Sequence, residues 1–182
     1  DVYKRQQYIS IKHLDELREN ENFLPGLLKT TTLGYDGQGQ YKLNSKKDIS
    51  NEIDFSKEYI LEKFINLKKE ISVIITRFGN QKYEIYEPIE NVHEDQILKH
   101  SKIPADVSKA IIIKSTEWSK KIVEDLDYIG TLCVEFFIDK NDNLYANEIA
   151  PRVHNSGHLT INSHNISCLL YTSDAADEDL RV

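Results

Sequence analysis

The hydrophobic and polar positions along the chain predict several short strands and one long helix. Runs rich in apolar, β-branched and aromatic residues predict strands over residues 23–29, 58–65, 70–78 and 81–86. A lysine-rich turn over residues 66–69 and a Gly79–Asn80 turn join the last three runs. The pattern therefore predicts an antiparallel meander in this part of the chain.

A helical pattern follows over residues 106–126. Its apolar positions recur at four- and seven-residue steps, as in a helix that buries one stripe: Val107, Ile111, Trp118, Ile122 and Leu126. Asp106 is placed to cap the N-terminus of this helix. Leu14 and Leu17 predict a second, shorter surface helix within residues 11–20.

The last strands are predicted to form a hairpin. Residues 131–138 alternate with period two, residues 139–143 favour a turn, and residues 144–149 form the returning strand. This arrangement puts Glu135 and Glu148 on neighbouring strands. If the two carboxylates share a face, they are hard oxygen ligands of the kind that Mg²⁺ takes alongside substrate phosphates. Otherwise both are solvated strand positions.

Asn147 begins a segment of contact-forming side chains that ends at His158. Its twelve positions hold an acid, two amides, an arginine, two histidines and a serine. Pro151 and Gly157 exclude one uninterrupted helix or strand. In a regular strand Asn147 points away from Glu148, so a site that uses both side chains requires the backbone to bend as it approaches Pro151.

A glycine-rich loop follows the strand that ends at Lys29. Gly34, Gly37 and Gly39 fall within six residues, so backbone N–H groups there could approach an anion closely. Lys29 could add a positive charge for a phosphate. The loop is not a Walker A motif, because no Gly-Lys-Ser/Thr follows. The alternative interpretation is a flexible surface turn.

Composition places the chain among globular proteins of the cytoplasm. Of its 182 residues 40% are hydrophobic and 29% are charged, and no apolar run approaches the ~20 residues of a membrane span. No signal peptide is visible. The net charge of -7 argues against a nucleic-acid partner. The two cysteines lack metal-ligand spacing, which favours a reducing compartment. We therefore expect neither a nucleic-acid nor a membrane partner.

Both ends of the chain match one short DNA string. AGATGTGTATAAGAGACAG, translated from its second base, encodes residues 1–6, and its reverse complement, translated from its second base, encodes residues 168–173. The string resembles the transposon end used in sequencing adaptors, and residues 174–178 look like its continuation. We therefore expect residues 1–6 and 168–182 to be translated adaptor and residues 7–167 to be the gene-encoded part.

The order of these motifs resembles the ATP-grasp domain of the N5-carboxyaminoimidazole ribonucleotide synthase family over nearly all of residues 7–167. The matching residues are Lys29, Gly34–Gln40, Glu62–Ile65, Glu70, Glu90–His93, Glu135 and Asn147–His158. The resemblance implies an α+β ATP-grasp fold, with antiparallel sheets and packed helices, truncated at both ends. It also implies a ligase that uses ATP to carboxylate 5-aminoimidazole ribonucleotide with bicarbonate, through carboxyphosphate, in purine biosynthesis.

The resemblance assigns the ATP contacts to four places. It implies that Lys29 reaches the phosphates, that Glu62 and the backbone of Lys63, Phe64 and Ile65 hold the adenine, and that Glu70 holds the ribose. On spacing alone, Glu62 and Glu70 are better explained as surface acids that balance Lys63, Lys68 and Lys69.

The resemblance also assigns metal and substrate contacts. It implies that Glu135 and Glu148 bind Mg²⁺ with Asn147 close by, and that Tyr35 and Asp36 touch the aminoimidazole nucleotide. Arg152, His154 and Ser156 are implied on the bicarbonate or nucleotide side, with Arg152 and His154 as the catalytic residues. The implied cofactors are ATP and Mg²⁺, and the family's enzymes look like homodimers.

Two departures from the family pattern affect these expectations. Gln38 stands where the family usually has a basic residue. The family's N-terminal nucleotide-fold domain and its C-terminal domain have no counterpart in residues 7–167, so we expect this polypeptide not to turn over alone. Another ATP-grasp ligase or carboxylase, and a non-catalytic ATP-binding module, are the alternative interpretations.

Overall fold

A computed structural model describes residues 3–32, 39–94 and 97–171. The chain divides into two compact units. The smaller unit is residues 6–66, and the larger unit is residues 67–182 together with residues 1–5. None of the helices in the described ranges has the length and apolar character needed to cross a membrane.

The smaller unit is built on a four-stranded antiparallel sheet. Its strands are β1 (Tyr8–Ile11), β2 (Gly26–Thr30), β3 (Gln40–Leu43) and β4 (Tyr59–Lys63), in the order β1-β4-β2-β3. One short helix, α1 (Leu14–Glu19), follows β1 and buries Leu17. The alternating apolar positions of the strands meet α1 and the following loops in a single core: Ile11, Leu17, Leu28, Leu43, Ile53, Tyr59 and Leu61.

The larger unit is built on a six-stranded antiparallel sheet. Its strands are β5 (Leu67–Arg77), β6 (Tyr83–Ile85), β7 (Ile89–Glu94), β8 (Ile97–Lys102), β9 (Gly130–Asp139) and β10 (Leu144–Ala150). The order is β10-β9-β5-β7-β8, and β6 pairs with the end of β5 beyond β7. The helices are α2 (Lys109–Asp125) and α3 (Thr160–Ser163), the second preceded by a 3₁₀ turn, Asn155–Leu159.

The two faces of the larger sheet have different chemistry. Ile71, Val73 and Ile75 of β5 alternate onto the face that packs against α2. The alternate residues Ser72, Ile74 and Thr76 are buried on the opposite face. This opposite face has its own small apolar cluster: Ile74, Tyr86, Ile89, Cys133, Ala150 and Cys168. A buried strand that carries hydroxyl groups on one face requires polar partners there.

The α+β architecture expected from the sequence, with antiparallel sheets and packed helices, is confirmed. The turns at residues 79–80 and 139–143 form hairpins as predicted. The predicted meander is wrong at residues 66–69, because β4 pairs within the smaller sheet whereas β5 pairs within the larger one.

The helix predicted from Asp106 begins later than expected. Its N-cap is Ser108, whose hydroxyl accepts a hydrogen bond from the Ile111 N–H. Asp106 instead accepts from Lys69 Nζ at 3.2 Å. The predicted apolar stripe is buried at Ile111, Trp118 and Ile122, but Leu126 lies beyond the helix and is 58% exposed.

Candidate functional site

The β9–β10 pair places Glu135 directly opposite Glu148. The two residues are Cα partners in the antiparallel register, so their side chains leave the sheet on the same face. The register shifts between Ala146 and Glu148, which makes Asn147 the extra residue of a β-bulge. Its amide reaches the same face and donates a long hydrogen bond to Glu135 Oε2, at 3.5 Å. The backbone bend predicted near Pro151 therefore lies at Asn147 itself.

His154 lies against Glu135. The distance from His154 Nε2 to Glu135 Oε1 is 2.9 Å, and both side chains are 14% exposed. His154 is also the N-cap of the 3₁₀ turn Asn155–Leu159, because its Nδ1 accepts from the Ser156 backbone N–H at 3.3 Å. Since the proline and the turn bring the chain back over the sheet, a histidine 19 positions after Glu135 in sequence becomes its direct partner.

A line of hydrogen bonds continues from His154 across the sheet; we call it the polar chain. Ser156 Oγ lies 3.0 Å from His154 Nδ1 and 2.8 Å from Ser72 Oγ. Asn91 Nδ2 donates to Ser72 Oγ at 2.9 Å, and Ser101 Oγ donates to Asn91 Oδ1 at 2.9 Å. The polar chain thus links strands β8, β7 and β5 to the turn that carries His154, and it satisfies hydroxyl and amide groups that burial would otherwise leave unpaired.

A second acid–histidine pair lies on the same sheet. His93 Nδ1 of β7 is 2.5 Å from Glu70 Oε2 of β5, an ion-pair distance outside the angular range of a hydrogen bond. Burial raises the pKa of Glu70, the His93 imidazole opposes this rise, and the nearby charge of Glu135 adds to it. Glu70 is therefore the carboxyl of this face that holds its proton more readily.

Glu135 shows the opposite shift. Burial alone would raise the pKa of Glu135. It is instead held below the ordinary value by the hydrogen bond and charge of His154, with smaller contributions from the charge of His93 and the Asn147 amide. Burial also raises the pKa of the Cys133 thiol on the same strand, so this thiol stays protonated beside Ser72. The face thus carries one acid that is strongly ionised, Glu135, and one that is less so, Glu70.

In the smaller unit, Lys29 and Glu62 are brought together. They lie on the neighbouring strands β2 and β4, and Lys29 Nζ is 2.7 Å from Glu62 Oε2, a charge contact without hydrogen-bond angles. The N–H groups of Lys63 and Phe64 donate to the carbonyls of Gln7 and Pro25, each at 2.9 Å. Those two N–H groups are therefore committed to the fold, and an adenine contact on this strand end would use the Ile65 N–H or backbone carbonyls.

Other predicted site residues stand apart from the polar chain. Arg152 is exposed, and its Nη1 donates to the Val153 carbonyl at 3.0 Å. Tyr35, Asp36 and Gln38 lie outside the described residues. Sequence reasoning did not single out Ser72 and Asn91. For Ser72 the only signal was a polar residue inside an otherwise apolar strand. Asn91 was noted only as part of the Glu90–His93 motif.

The oxygen ligands expected for Mg²⁺ fit a metal shared with a substrate. Glu135 and Glu148 supply two carboxylates on one face, and Asn147 adds an amide close to them. Within residues 3–32, 39–94 and 97–171, no group of three or more His, Cys, Asp or Glu side chains forms a metal cage. Two carboxylates completed by phosphate oxygens are the arrangement that Mg²⁺ commonly takes.

Comparison with known proteins defines the class. The ATP-grasp domain profile matches residues 3–168, so this chain belongs to the ATP-grasp family. Among its relatives, the N5-carboxyaminoimidazole ribonucleotide synthase of Staphylococcus aureus strain MRSA252 is 41% identical over 165 residues, covering 88% of this chain and 43% of the relative. The same enzyme of Bacillus subtilis strain 168 is 36% identical over 158 residues, covering 85% and 42%.

Solved structures agree with this assignment. The N5-carboxyaminoimidazole synthetase of Staphylococcus aureus complexed with ADP has a TM-score of 0.88 and 37% identity, covering 95% of this chain and 47% of that one. The Aspergillus clavatus synthase in complex with ADP and 5-aminoimidazole ribonucleotide has a TM-score of 0.84 and 30% identity, covering 94% and 46%. The chain spans less than half the length of the curated relatives it matches.

Proposed function

We propose that this chain supplies the ATP-grasp part of an ATP-dependent carbon–nitrogen ligase that makes N5-carboxyaminoimidazole ribonucleotide. ATP would phosphorylate bicarbonate to carboxyphosphate with release of ADP. The exocyclic amine of 5-aminoimidazole ribonucleotide would then take the carboxyl group, directly or through CO₂, with release of phosphate. The relatives at 36–41% identity carry the name of this activity, and the Aspergillus clavatus structure holds ADP and the aminoimidazole nucleotide.

One observation carries the proposal: Glu135, Asn147 and Glu148 come to one face of the β9–β10 pair. We assign Glu135 and Glu148 to Mg²⁺, which would neutralise phosphate charge during transfer. The lowered pKa of Glu135 supports this role, because a metal ligand must be ionised at neutral pH. Asn147 would hold the Glu135 carboxylate in place.

We assign the acceptor side to the segment that follows the bulge. Arg152, whose guanidinium is exposed, would bring positive charge to bicarbonate or carboxyphosphate. His154 would contact the same substrate atoms through its Nε2 edge, and Ser156 would support it. Tyr35 and Asp36 would contact the aminoimidazole nucleotide. Shielding carboxyphosphate from water would be part of the same task, because this intermediate is readily hydrolysed.

We assign the nucleotide contacts in the smaller unit to the Lys29–Glu62 pair. Lys29 would reach an ATP phosphate, and Glu62 would accept from the adenine amino group. Their 2.7 Å contact supports the assignment, since it holds both side chains in place before a ligand arrives. Lys63, Phe64 and Ile65 would contribute backbone groups to adenine, and Glu70 of the larger unit would accept from the ribose.

We further propose that residues 1–6 and 168–182 derive from adaptor DNA, that the gene-encoded part is residues 7–167, and that the polypeptide alone does not turn over. The ATP-grasp match ends at residue 168, the first residue of the proposed tail, although it also takes in residues 3–6. The parent enzyme would be cytoplasmic and dimeric. Bicarbonate- and aminoimidazole-dependent ATP hydrolysis by the isolated chain would contradict the proposed inactivity.

A chimera tests the proposed activity. Residues 7–167 would replace the matching segment of the Staphylococcus aureus synthase, which supplies the rest of the length. We expect ATP hydrolysis that requires both bicarbonate and 5-aminoimidazole ribonucleotide, and a loss of about 10²–10³-fold in rate with Arg152→Ala. Stimulation by a different acceptor would point to another ATP-grasp ligase. Mg-ATP binding without stimulation by any acceptor would point to a binding module.

A further inference from the structure

The Tyr128 hydroxyl reaches the segment that carries Arg152. It donates a hydrogen bond to the Pro151 carbonyl oxygen at 3.2 Å and a longer one to the Thr131 carbonyl oxygen at 3.5 Å. Carbonyl oxygens can only accept, so the direction of both bonds is fixed. The Pro151 carbonyl belongs to the peptide that joins Pro151 to Arg152. The shorter bond therefore holds the backbone immediately before the proposed catalytic arginine.

Tyr128 stands on a rigid turn at the C-terminal end of α2. Asp127 has a left-handed backbone, with a φ of 46°, and its N–H donates to the Glu124 carbonyl at 3.0 Å. The Tyr128 N–H donates to the Val123 carbonyl, also at 3.0 Å. These two bonds form a Schellman motif, which satisfies carbonyl groups that the end of a helix leaves open. Arg77 Nη1 of β5 also donates to Asp127 Oδ1, at 2.8 Å, so the turn is tied to the sheet as well as to the helix.

The Tyr128 ring is also held in place. Gly130 lies against it, since a Cβ added at Gly130 would be 3.4 Å from Tyr128 Cε1 and 3.5 Å from the Tyr128 hydroxyl oxygen. The ring also packs against the main hydrophobic core of the larger unit. A ring fixed by packing and by a rigid turn presents its hydroxyl in one direction, toward Pro151.

We infer that Tyr128 is a positioning residue for Arg152, because its hydroxyl holds the peptide from which the arginine side chain extends. The inference rests on the proposed function, in which Arg152 brings positive charge to bicarbonate or carboxyphosphate. The Arg152 side chain is exposed and its Nη1 donates to the neighbouring Val153 carbonyl at 3.0 Å, so its direction follows the backbone of its own segment. Glu135 and Glu148 are held separately, by the pairing of β9 with β10. Losing the Tyr128 hydroxyl should therefore impair the acceptor side and spare Mg-ATP binding.

Tyr128→Phe tests this inference in the chimera described above, because it removes the hydroxyl and keeps the ring. We expect kcat/KM for bicarbonate to fall about 10-fold, since misplacing a reacting or catalytic group by 1 Å can cost ~10²-fold in rate. The Kd for Mg-ATP should stay unchanged. Tyr83→Phe is the matched control, because its hydroxyl also contacts the last turn of α2, donating to Glu124 Oε1 at 3.1 Å. We expect this control to keep both constants.

A second substitution shows whether Tyr128 acts through Arg152. When Arg152 is already alanine, Tyr128→Phe should cost less than about twofold, because the effects of residues that act through each other are not additive. A general structural role would lower kcat/KM by the same factor in both backgrounds. Equal factors would therefore overturn the inference.

Trypsin cleavage tests the anchoring without ATP, Mg²⁺ or acceptor. Arg152 is exposed, and cleavage after it requires its segment to open locally. In the 182-residue chain we expect Tyr128→Phe to be cut there about fivefold faster than wild type, as loss of one typical hydrogen bond predicts. Cleavage after Lys46 in the smaller unit, whose side chain is 62% exposed, is the internal reference and should not change. Mass spectrometry identifies both cuts.

The positioning role and the proposed function fail in different ways. Wild-type kinetics for Tyr128→Phe in an active chimera, or equal losses in Tyr128→Phe and Tyr83→Phe, would overturn the positioning role. A chimera without acceptor-stimulated ATP hydrolysis would refute the proposed function instead. In that case the trypsin comparison decides the anchoring of Arg152, and an unchanged rate of cleavage there would refute it.

Discussion

Glu135 and Glu70 lie on adjacent strands of one sheet face, each beside a histidine, and their pKa values are shifted in opposite directions. His154 and Asn147 donate to Glu135 strongly enough to outweigh its burial. His93 does not outweigh the burial of Glu70. Replacing each acid by glutamine is therefore expected to change the free energy of unfolding in opposite directions.

Glu135→Gln should lower the free energy of unfolding at neutral pH. Because the folded-state pKa of Glu135 is below the ordinary value of 4.5, the ionised carboxylate stabilises the fold above that value, and this contribution is lost as the pH falls through the folded-state pKa. The difference between wild type and variant should therefore shrink in acid. Urea titrations of both proteins between neutral and acid pH measure it. A difference that stays constant with pH would contradict the assigned shift.

Glu70→Gln should raise the free energy of unfolding at neutral pH. The pKa of Glu70 is raised, so ionisation is less favourable in the folded state than in the unfolded state, and an uncharged amide avoids that loss. The advantage of the variant should disappear below the ordinary value of 4.5, where the carboxyl is protonated in both states. The same urea titrations report it, and a variant less stable than wild type at neutral pH would show that the His93 contact dominates.

Replacing both proposed metal ligands should weaken Mg-ATP binding. We expect Glu135→Ala with Glu148→Ala to lower the affinity by at least ~10-fold, since even substitutions behind a metal's ligands cost 10- to 100-fold. Calorimetric titration with Mg-ATP measures this. Glu117→Ala on the exposed side of α2 is the control and should bind as the wild type does. An unchanged affinity in the double variant would refute the metal assignment.

Gly157→Ala should destabilise the turn that carries His154. An added Cβ would lie 2.6 Å from Val153 Cγ1, 2.9 Å from Cys168 Sγ and 3.0 Å from Ile74 Cδ1. Overpacking of this kind typically costs about 1–3 kcal/mol. Gly79→Ala is a matched control, because its Cβ would meet nothing within 4 Å, and its effect should stay within about 0.5 kcal/mol. Thermal or urea unfolding compares the two, and equal effects would contradict the close packing at Gly157.

Ser108→Ala should destabilise α2 by about 1 kcal/mol, because it removes the hydroxyl that caps the helix. This prediction distinguishes the observed cap from the one that the sequence suggested. Asp106→Ala removes the side chain at the suggested position and costs only its contact with Lys69, which is weak because the Asp106 side chain is 79% exposed. A larger loss of stability in Asp106→Ala than in Ser108→Ala would contradict the capping role of Ser108.

Local chemistry explains which parts of the fold were predictable. The turns at residues 79–80 and 139–143 are set by their own residues, so both hairpins were found from sequence. The separation of β4 and β5 into two sheets depends on partners far away in sequence, β1 and β2 for one and β9 for the other. No pattern within residues 58–78 reports those partners.

In the candidate site, too, residues with a local sequence signal were predictable, whereas residues whose role depends on distant partners were not. Glu135, Asn147, Glu148 and His154 could be proposed from sequence because they lie in an unusually dense polar segment or on a recognisable hairpin, and the structure brings them together. Ser72 was missed because an isolated serine in a strand is ambiguous, and Asn91 acquires a role only when β7 pairs with β5. The partner of His154 was also not predicted, since the 3₁₀ turn that returns the histidine to Glu135 has no separate sequence signal.

The bulge at Asn147 changes the phase of β10. In a regular strand all even-numbered residues face the same side of the sheet. Before the bulge, Leu144 and Ala146 face the side that packs on α2, whereas after it Glu148 and Ala150 face the opposite side. A single inserted or deleted residue between Ala146 and Glu148 is therefore absorbed by changing the bulge alone. The same change between Glu148 and Pro151 would instead shift the connection to the His154 turn relative to the strand. The two ends of one short strand thus differ sharply in their tolerance of length changes.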